Sequence, residues 1–142
     1  MKDNRKPIVE TYLTMALMLA EARSSDFFTK VGCVAANDKG EIIGVSYNGT
    51  KPGYKFPFDE TLAENRDKKN LLYFHAEENL MFRSTRGEIH SIFCSYSPCR
   101  NCAKLLAGFG VKNVYYVNEY HREQDFKYIF EQYGVNYECV KI

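Results

Sequence analysis

Two short stretches carry residue types able to hold a metal ion and move protons: His75-Ala76-Glu77 and Pro98-Cys99-Arg100-Asn101-Cys102. Cys99 and Cys102 are spaced i, i+3, so in a first helical turn their sulfurs share one face, which suits one tetrahedral metal ion. His75 would supply a third ligand. Three protein ligands leave a fourth position open, which in zinc chemistry separates a catalytic site that keeps a water from a closed structural one. Glu77, two residues past the histidine, could reach that water without taking a coordination position, which makes it the candidate proton carrier. Helix N-termini aimed at the metal would add positive potential favouring thiolates and hydroxide. Alone, a Cys-x-x-Cys is as easily half of a structural site, and a His-x-Glu an ordinary surface helix start. Together, each at an expected strand-to-helix junction, they point to a catalytic zinc.

The elements that must position these residues follow from hydrophobic periodicity. Between Ile8 and Arg23, Val9, Leu13, Ala16, Leu17 and Ala20 have the spacing of one helical stripe in a run of strong helix formers. Val31 to Ala36 and Glu41 to Tyr47 are β-prone runs joined by Asn37-Asp38-Lys39-Gly40, a turn-forming cluster, and read as a hairpin. Asn48 to Asn70 is polar, holds Gly49, Pro52, Gly53 and Pro57, and has no sustained period, so it is expected to be a long functional or mobile loop. A helix from Ala76 to about Arg83 and a strand from Ser91 to Tyr96 come next. The following helix, about Cys99 to Phe109, has Pro98 to pre-organise its first turn and Gly110 as its stop. Val111 to Val117 reads as a strand, then Phe126, Ile129, Phe130 and Tyr133 mark a helix ended by Gly134, and Val135 to Val140 is a last strand. The order α-β-β-α-β-α-β-α-β predicts one mixed sheet covered by helices on both faces, with residues 1–142 forming a single α/β domain.

Composition narrows the function classes. The 142 residues are 45% hydrophobic, enough for a substantial core, and a formal net charge of +1 gives no general reason to expect tight nucleic-acid or membrane-surface binding. The basic start Met-Lys-Asp-Asn-Arg-Lys precedes an apolar stretch that carries Glu10, Thr11 and Thr14 and ends at Glu21, which fits neither a signal peptide nor a membrane span. Five cysteines, two of them in the Cys-x-x-Cys, argue against a disulfide scaffold and for a reducing, cytoplasmic location.

The pattern His-x-Glu…Pro-Cys-x-x-Cys resembles that of the zinc nucleobase deaminases. Around it, Arg23-Ser24-Ser25, Val31-Gly32-Cys33, Tyr47-Asn48-Gly49-Thr50-Lys51-Pro52-Gly53 and His75-Ala76-Glu77-Glu78-Asn79 closely resemble the deoxycytidylate (dCMP) deaminase branch, from the first helix to about Arg122. The resemblance implies a three-layer αβα cytidine deaminase-like fold with a five-stranded mixed sheet, a homo-oligomer that is commonly a hexamer, and hydrolysis of dCMP to dUMP and ammonia. It places one zinc on His75, Cys99 and Cys102, with Glu77 protonating N3 of the cytosine while activated water attacks C4, and later serving the departing amine. It further implies that Asn48 bonds the sugar or base, an ordinary Asn-Gly turn being the alternative there, and that backbone groups of Ala76 and Ser97 read the pyrimidine edge. Arg23, Tyr120 and Arg122 would meet the phosphate, the arginines through their planar fork of donors unless they are plain solvated side chains. In regulated members dCTP activates and dTTP inhibits; here Asn48, Gly49, Lys51 and Gly53 match that nucleotide site, with Mg2+ accompanying the triphosphate.

Two departures matter. Asn48 to Phe74 contains neither Cys nor His, so the second, structural zinc of some members has no ligands there and one zinc per chain is expected. Cys33, Cys94 and Cys139 fall in strand patterns and read as small buried hydrophobes. Ser95-Tyr96-Ser97-Pro98-Cys99 is similar to the Ser-Trp-Ser-Pro-Cys of polynucleotide cytosine deaminases. A single-stranded polynucleotide deaminase is therefore the main competing reading, which the near-neutral charge argues against but eleven Tyr and ten Phe leave open. A free (deoxy)cytidine deaminase, a tRNA adenosine deaminase and a zinc-bearing scaffold without turnover rank below it.

Overall fold

The computed structural model describes residues 2–26, 28–54 and 66–142. A five-stranded sheet runs in the order β2-β1-β3-β4-β5, built from β1 (Gly32–Ala36), β2 (Ile42–Tyr47), β3 (Ser91–Tyr96), β4 (Asn113–Asn118) and β5 (Asn136–Cys139). β1 pairs antiparallel with both β2 and β3, whereas β3, β4 and β5 are parallel, so the expected mixed sheet is observed. Every residue of β1 is buried, which is why Gly-Cys-Val-Ala-Ala shows no polar alternation.

Helix α1 (Ile8–Arg23) covers one face of the sheet. Its Leu13 and Ala16 pack with Val34 and Ala36 of β1 and Phe93 of β3. The approach is very close: a Cβ on Gly32 would lie 2.1 Å from the Ala16 carbonyl oxygen, so only glycine fits where α1 crosses β1. The opposite face of the same strands carries Cys33, Ala35, Ile92, Cys94, Val114 and Tyr116. It is covered by α3 (Ala76–Phe82), α4 (Arg100–Phe109) and α5 (Asp125–Tyr133) through Leu80, Ala103, Leu106, Phe126 and Phe130. The result is three layers, αβα. Gly110 and Gly134 end α4 and α5 in the left-handed conformation, at φ 97° and 69°, as their positions in the sequence predict. No helix among the described residues is long and apolar enough to cross a membrane.

Several expectations need correction. The 48–70 stretch holds a helix, α2 (Arg66–Leu72), within what reads as loop. Its seven residues carry four charges and bury no apolar stripe, Leu71 being 83% exposed, so no periodicity announces it. The rest of that expected loop between 55 and 65 lies outside the described residues. Pro98 precedes the N-cap Cys99 instead of occupying the first turn of α4, which begins at Arg100. Tyr133 is exposed, so the buried stripe of α5 is Phe126 and Phe130 with Ile129 packed beside them. Cys139 is exposed as well, because β5 is an edge strand, whereas Cys33 and Cys94 are fully buried as expected.

Candidate metal and proton-transfer site

His75 is delivered by a short backbone bridge. Phe74 N–H donates to the Gly49 carbonyl at 2.8 Å and Gly49 N–H donates to the Phe74 carbonyl at 3.1 Å, so the residues just after β2 hold the strand-like approach to α3. His75 then caps α3, with its own N–H donated to Glu78 Oε1 at 2.8 Å. On the neighbouring side β3 runs through Ser97 and Pro98 to Cys99, the N-cap of α4, whose sulfur accepts the Cys102 N–H at 3.5 Å.

These two helix starts converge. The ligand atoms of His75, Cys99 and Cys102 all lie within 4.8 Å of one another, and they are the single such group of three among the described residues. His75 Nδ1 is 3.6 Å from Cys99 Sγ and 3.3 Å from Cys102 Sγ. A tetrahedral zinc with usual Zn–N and Zn–S bonds requires about 3.5 Å between such atoms, so the donor set and its spacing fit zinc without rearrangement. The three side chains share their protons unequally, and a metal would displace those held on His75 and Cys102. The Cys102 side chain, followed by His75, holds the Cys99 thiol down to about 4, and Cys99 in turn raises His75 to about 9. Cys102, beside Cys99 and largely buried, is pushed well upward, so metal binding would displace its proton.

Glu77 lies in the first turn of α3 and is 4% exposed. Burial raises its carboxyl above the ordinary range, opposed by the charge of His75. Cys33 of β1, on the core-facing side, places its thiol 3.8 Å from Glu77 Oε1 and 3.0 Å from Cys94 Sγ. A buried carboxylic group of this kind, beside an open coordination position, can carry a proton between water and a bound molecule.

The remaining predicted residues divide into anchored and exposed ones. Asn48 is buried, with Oδ1 accepting from Val31 N at 2.9 Å and from the Ser24 hydroxyl at 2.5 Å, and Nδ2 donating to the Thr29 carbonyl at 2.7 Å. Three of its four hydrogen-bonding positions are thus spent inside the protein. The Ala76 carbonyl accepts the Ser46 hydroxyl at 2.6 Å, and Ser97 donates its N–H to the Asn118 carbonyl at 2.8 Å while its hydroxyl accepts Tyr120 N–H at 2.9 Å. Ser95 accepts the Gly32 N–H at 3.0 Å. Both hydroxyls of the Ser-Tyr-Ser motif therefore have structural partners.

Tyr120 stacks on Tyr96, ring centroids 4.5 Å apart, and the Gln124 side chain donates to its carbonyl at 2.6 Å. Burial, then Tyr96 and Glu77, push its phenol upward, opposed by the Thr29 side chain. Arg23 is exposed with its guanidinium 5.7 Å from the Tyr47 ring centre, and Arg122 is exposed on the loop after β4. Gly49 is buried against Ser25, whereas Lys51 and Gly53 are exposed. Sequence reasoning missed Cys33 as a neighbour of Glu77, Ser46 as the support of Ala76, and the Asp26–Lys69 pair. A polar residue in an otherwise apolar strand was the available signal for Ser46; no local signal marks the other two.

Residues 7–118 match the family model described as the cytidine and deoxycytidylate deaminase zinc-binding region. Among solved structures, the dCMP deaminase of cyanophage S-TIM5, crystallised with dCMP and dUMP, is similar with a TM-score of 0.76 and 30% identity over 96% of this chain and 100% of that one. The deoxycytidylate deaminases of Homo sapiens and Pongo abelii are each 27% identical over a stretch covering 94% of this chain and 82% of the relative.

Proposed function

Since this chain belongs to the cytidine and deoxycytidylate deaminase zinc-binding family, we propose that it hydrolyses dCMP to dUMP and ammonia, supplying dUMP for thymidylate synthesis. One observation carries the reading: three metal-ligand atoms gathered within 4.8 Å beside a buried carboxylate. The likeness to dCMP deaminases along nearly the whole chain supports the choice of nucleotide.

In this reading His75, Cys99 and Cys102 hold one zinc per chain. When bound, zinc lowers the pKa of a coordinated water toward neutrality. Glu77 takes a proton from the attacking water and gives it to N3 as the hydroxyl adds at C4, then takes the proton of that C4 hydroxyl and gives it to the amine as the C4–N bond breaks, the C4 carbonyl forms and ammonia leaves. Ala76 reads the pyrimidine through its N–H and Ser97 through its carbonyl, because the Ala76 carbonyl and the Ser97 N–H already have partners. Asn48 has at most one N–H left for the ligand and otherwise shapes the wall beside it. Arg23 and Arg122, the exposed cations flanking this region, take the phosphate with Tyr120 between them.

Regulation by dCTP and dTTP, carried with Mg2+, belongs to the same proposal. There Lys51 and Gly53 meet the triphosphate, and buried Asn48 and Gly49 hold their loop in place. A homohexamer and a cytoplasmic setting, in which thiolate ligands stay reduced, complete it.

The test is deamination by purified, zinc-loaded protein of dCMP, deoxycytidine, CMP and a cytosine-containing single-stranded oligonucleotide. Turnover confined to dCMP is the expected result. Turnover confined to the oligonucleotide would instead assign the protein to polynucleotide chemistry.

A further inference from the structure

Two carboxylates are buried among the described residues, Glu77 and Asp26, and the chemistry above uses only the first. Asp26 is 2% exposed. Its Oδ1 accepts the N–H groups of Phe28 at 2.9 Å and Thr29 at 3.1 Å, and its Oδ2 lies 2.5 Å from Lys69 Nζ, on a side chain 17% exposed. Every other ion pair among the described residues leaves both side chains at 22% exposure or more. Burying an ion pair is costly in desolvation and stabilises little relative to apolar packing, so its use here is geometric.

The pair joins the segment after α1 to helix α2, beside Tyr73, whose side chain meets Ser25. Helix α2 offers no apolar face, with Leu71 and Leu72 both exposed, and Lys69 is its link to Asp26. The segment from Ser24 to Val31 has a second anchor in Asn48, which takes the Ser24 hydroxyl and the Val31 N–H and donates to the Thr29 carbonyl. Asp26 fixes the backbone between those points through the N–H groups of Phe28 and Thr29. The Thr29 side chain lies close enough to the Tyr120 phenol to oppose its upward shift, and Tyr120 stacks on Tyr96 at the end of β3, one residue before Ser97. Arg23 opens this segment, and Arg122 lies on the loop that carries Tyr120. The wall held by Asp26 and the loop held by Ser97 therefore approach one another at Thr29 and Tyr120.

We infer that the Asp26–Lys69 pair is a positioning element for the nucleotide substrate: it holds the 24–30 wall against Tyr120 and sets substrate affinity, without taking part in metal binding or proton transfer. This rests on the deaminase reading above. The metal ligands and Glu77 stand at the starts of α3 and α4, whose Ala76, Leu80, Ala103 and Leu106 are anchored in the core, so loosening the wall weakens binding more than it slows the chemical step.

Steady-state kinetics of the full, zinc-loaded chain decide it. Lys69→Met should raise KM for dCMP on the order of tenfold while kcat stays within about twofold, because misplacing a binding wall weakens the complex and spares the reacting groups. Lys69→Arg, which keeps the charge, should restore most of the affinity. Asp26→Asn retains Oδ1 for the Phe28 and Thr29 N–H groups and replaces the oxygen facing Lys69 with an NH2 donor, so it breaks the ion pair while keeping the turn and serves as a second variant with the same KM effect. The double variant should be no worse than either single one, as expected of partners in one contact. Zinc content should be unchanged throughout. An unchanged KM with a lowered melting temperature would overturn the inference in favour of a purely structural pair, as would a loss confined to kcat. Failure of the unaltered protein to act on dCMP would overturn the activity instead, and the pair would then be judged by the same tenfold shift in the Kd of dCMP by calorimetry.

Discussion

Glu77 and Asp26 are both buried carboxylates, yet their surroundings differ in kind. Glu77 faces His75 and Cys102, groups whose protonation a metal would rearrange, and the buried thiol of Cys33, and burial raises its affinity for a proton. Asp26 faces the Lys69 ammonium and two backbone N–H groups, all of them hydrogen-bond donors. The first environment favours a group that changes state; the second fixes a charge and, with it, a backbone path. Burial of a charge is therefore not in itself a mark of catalysis. What its partners do with the proton separates a chemical site from a supporting one.

Four substitutions test that contrast, and the first aims at Glu77 alone. Glu77→Gln should lower kcat by about 10²–10⁴ with zinc stoichiometry and dCMP binding preserved, since only proton transfer is removed. Metal analysis beside turnover checks this, and normal deamination by the variant would break the assignment. Gly32→Ala strikes the foundation that both regions share. Its Cβ would meet the backbone of α1 at Ala16 and Ala20, so a destabilisation of about 3 kcal/mol is expected, read as a fall of roughly 10 °C in Tm. Lys69→Met reaches only the Asp26 region and, as set out above, should appear in KM and not in kcat. Cys139→Ser touches neither region, because this thiol is exposed on the edge strand, and should leave turnover, KM and zinc content as they were. Equal losses in kcat and KM from both Glu77→Gln and Lys69→Met would erase the contrast.

The parts of the site that can be read directly from the chain are those whose geometry is local. A histidine and a glutamate two apart, or two cysteines three apart, have a fixed relation once a helix begins beneath them, and the flanking strands and glycine stops announce those helices. The hairpin at Asn37 to Gly40 is legible for the same reason, with the Asn37 side chain accepting the N–H groups of Lys39 and Glu41. Helix α2 escapes such a reading because it has no buried stripe; a single tertiary ion pair contributes to its placement. Asn48 is legible as an important turn residue but not as the hub of the 24–31 segment, since its partners lie 17 to 24 residues away.

The sequence by itself determined the candidate reacting groups, the order of the elements apart from α2, and the mixed three-layer architecture, because residue type, short spacing and hydrophobic period act over one or two turns of chain. Only the tertiary structure decided that Cys33 stands beside Glu77, that Ser46 holds the Ala76 carbonyl, and that Asp26 answers to Lys69. Each of those contacts closes a long loop, 44 residues in the case of Cys33 and Glu77. The entropy of such a closure is met by the packing of the whole sheet and its helices, not by anything in the two residues that finally touch.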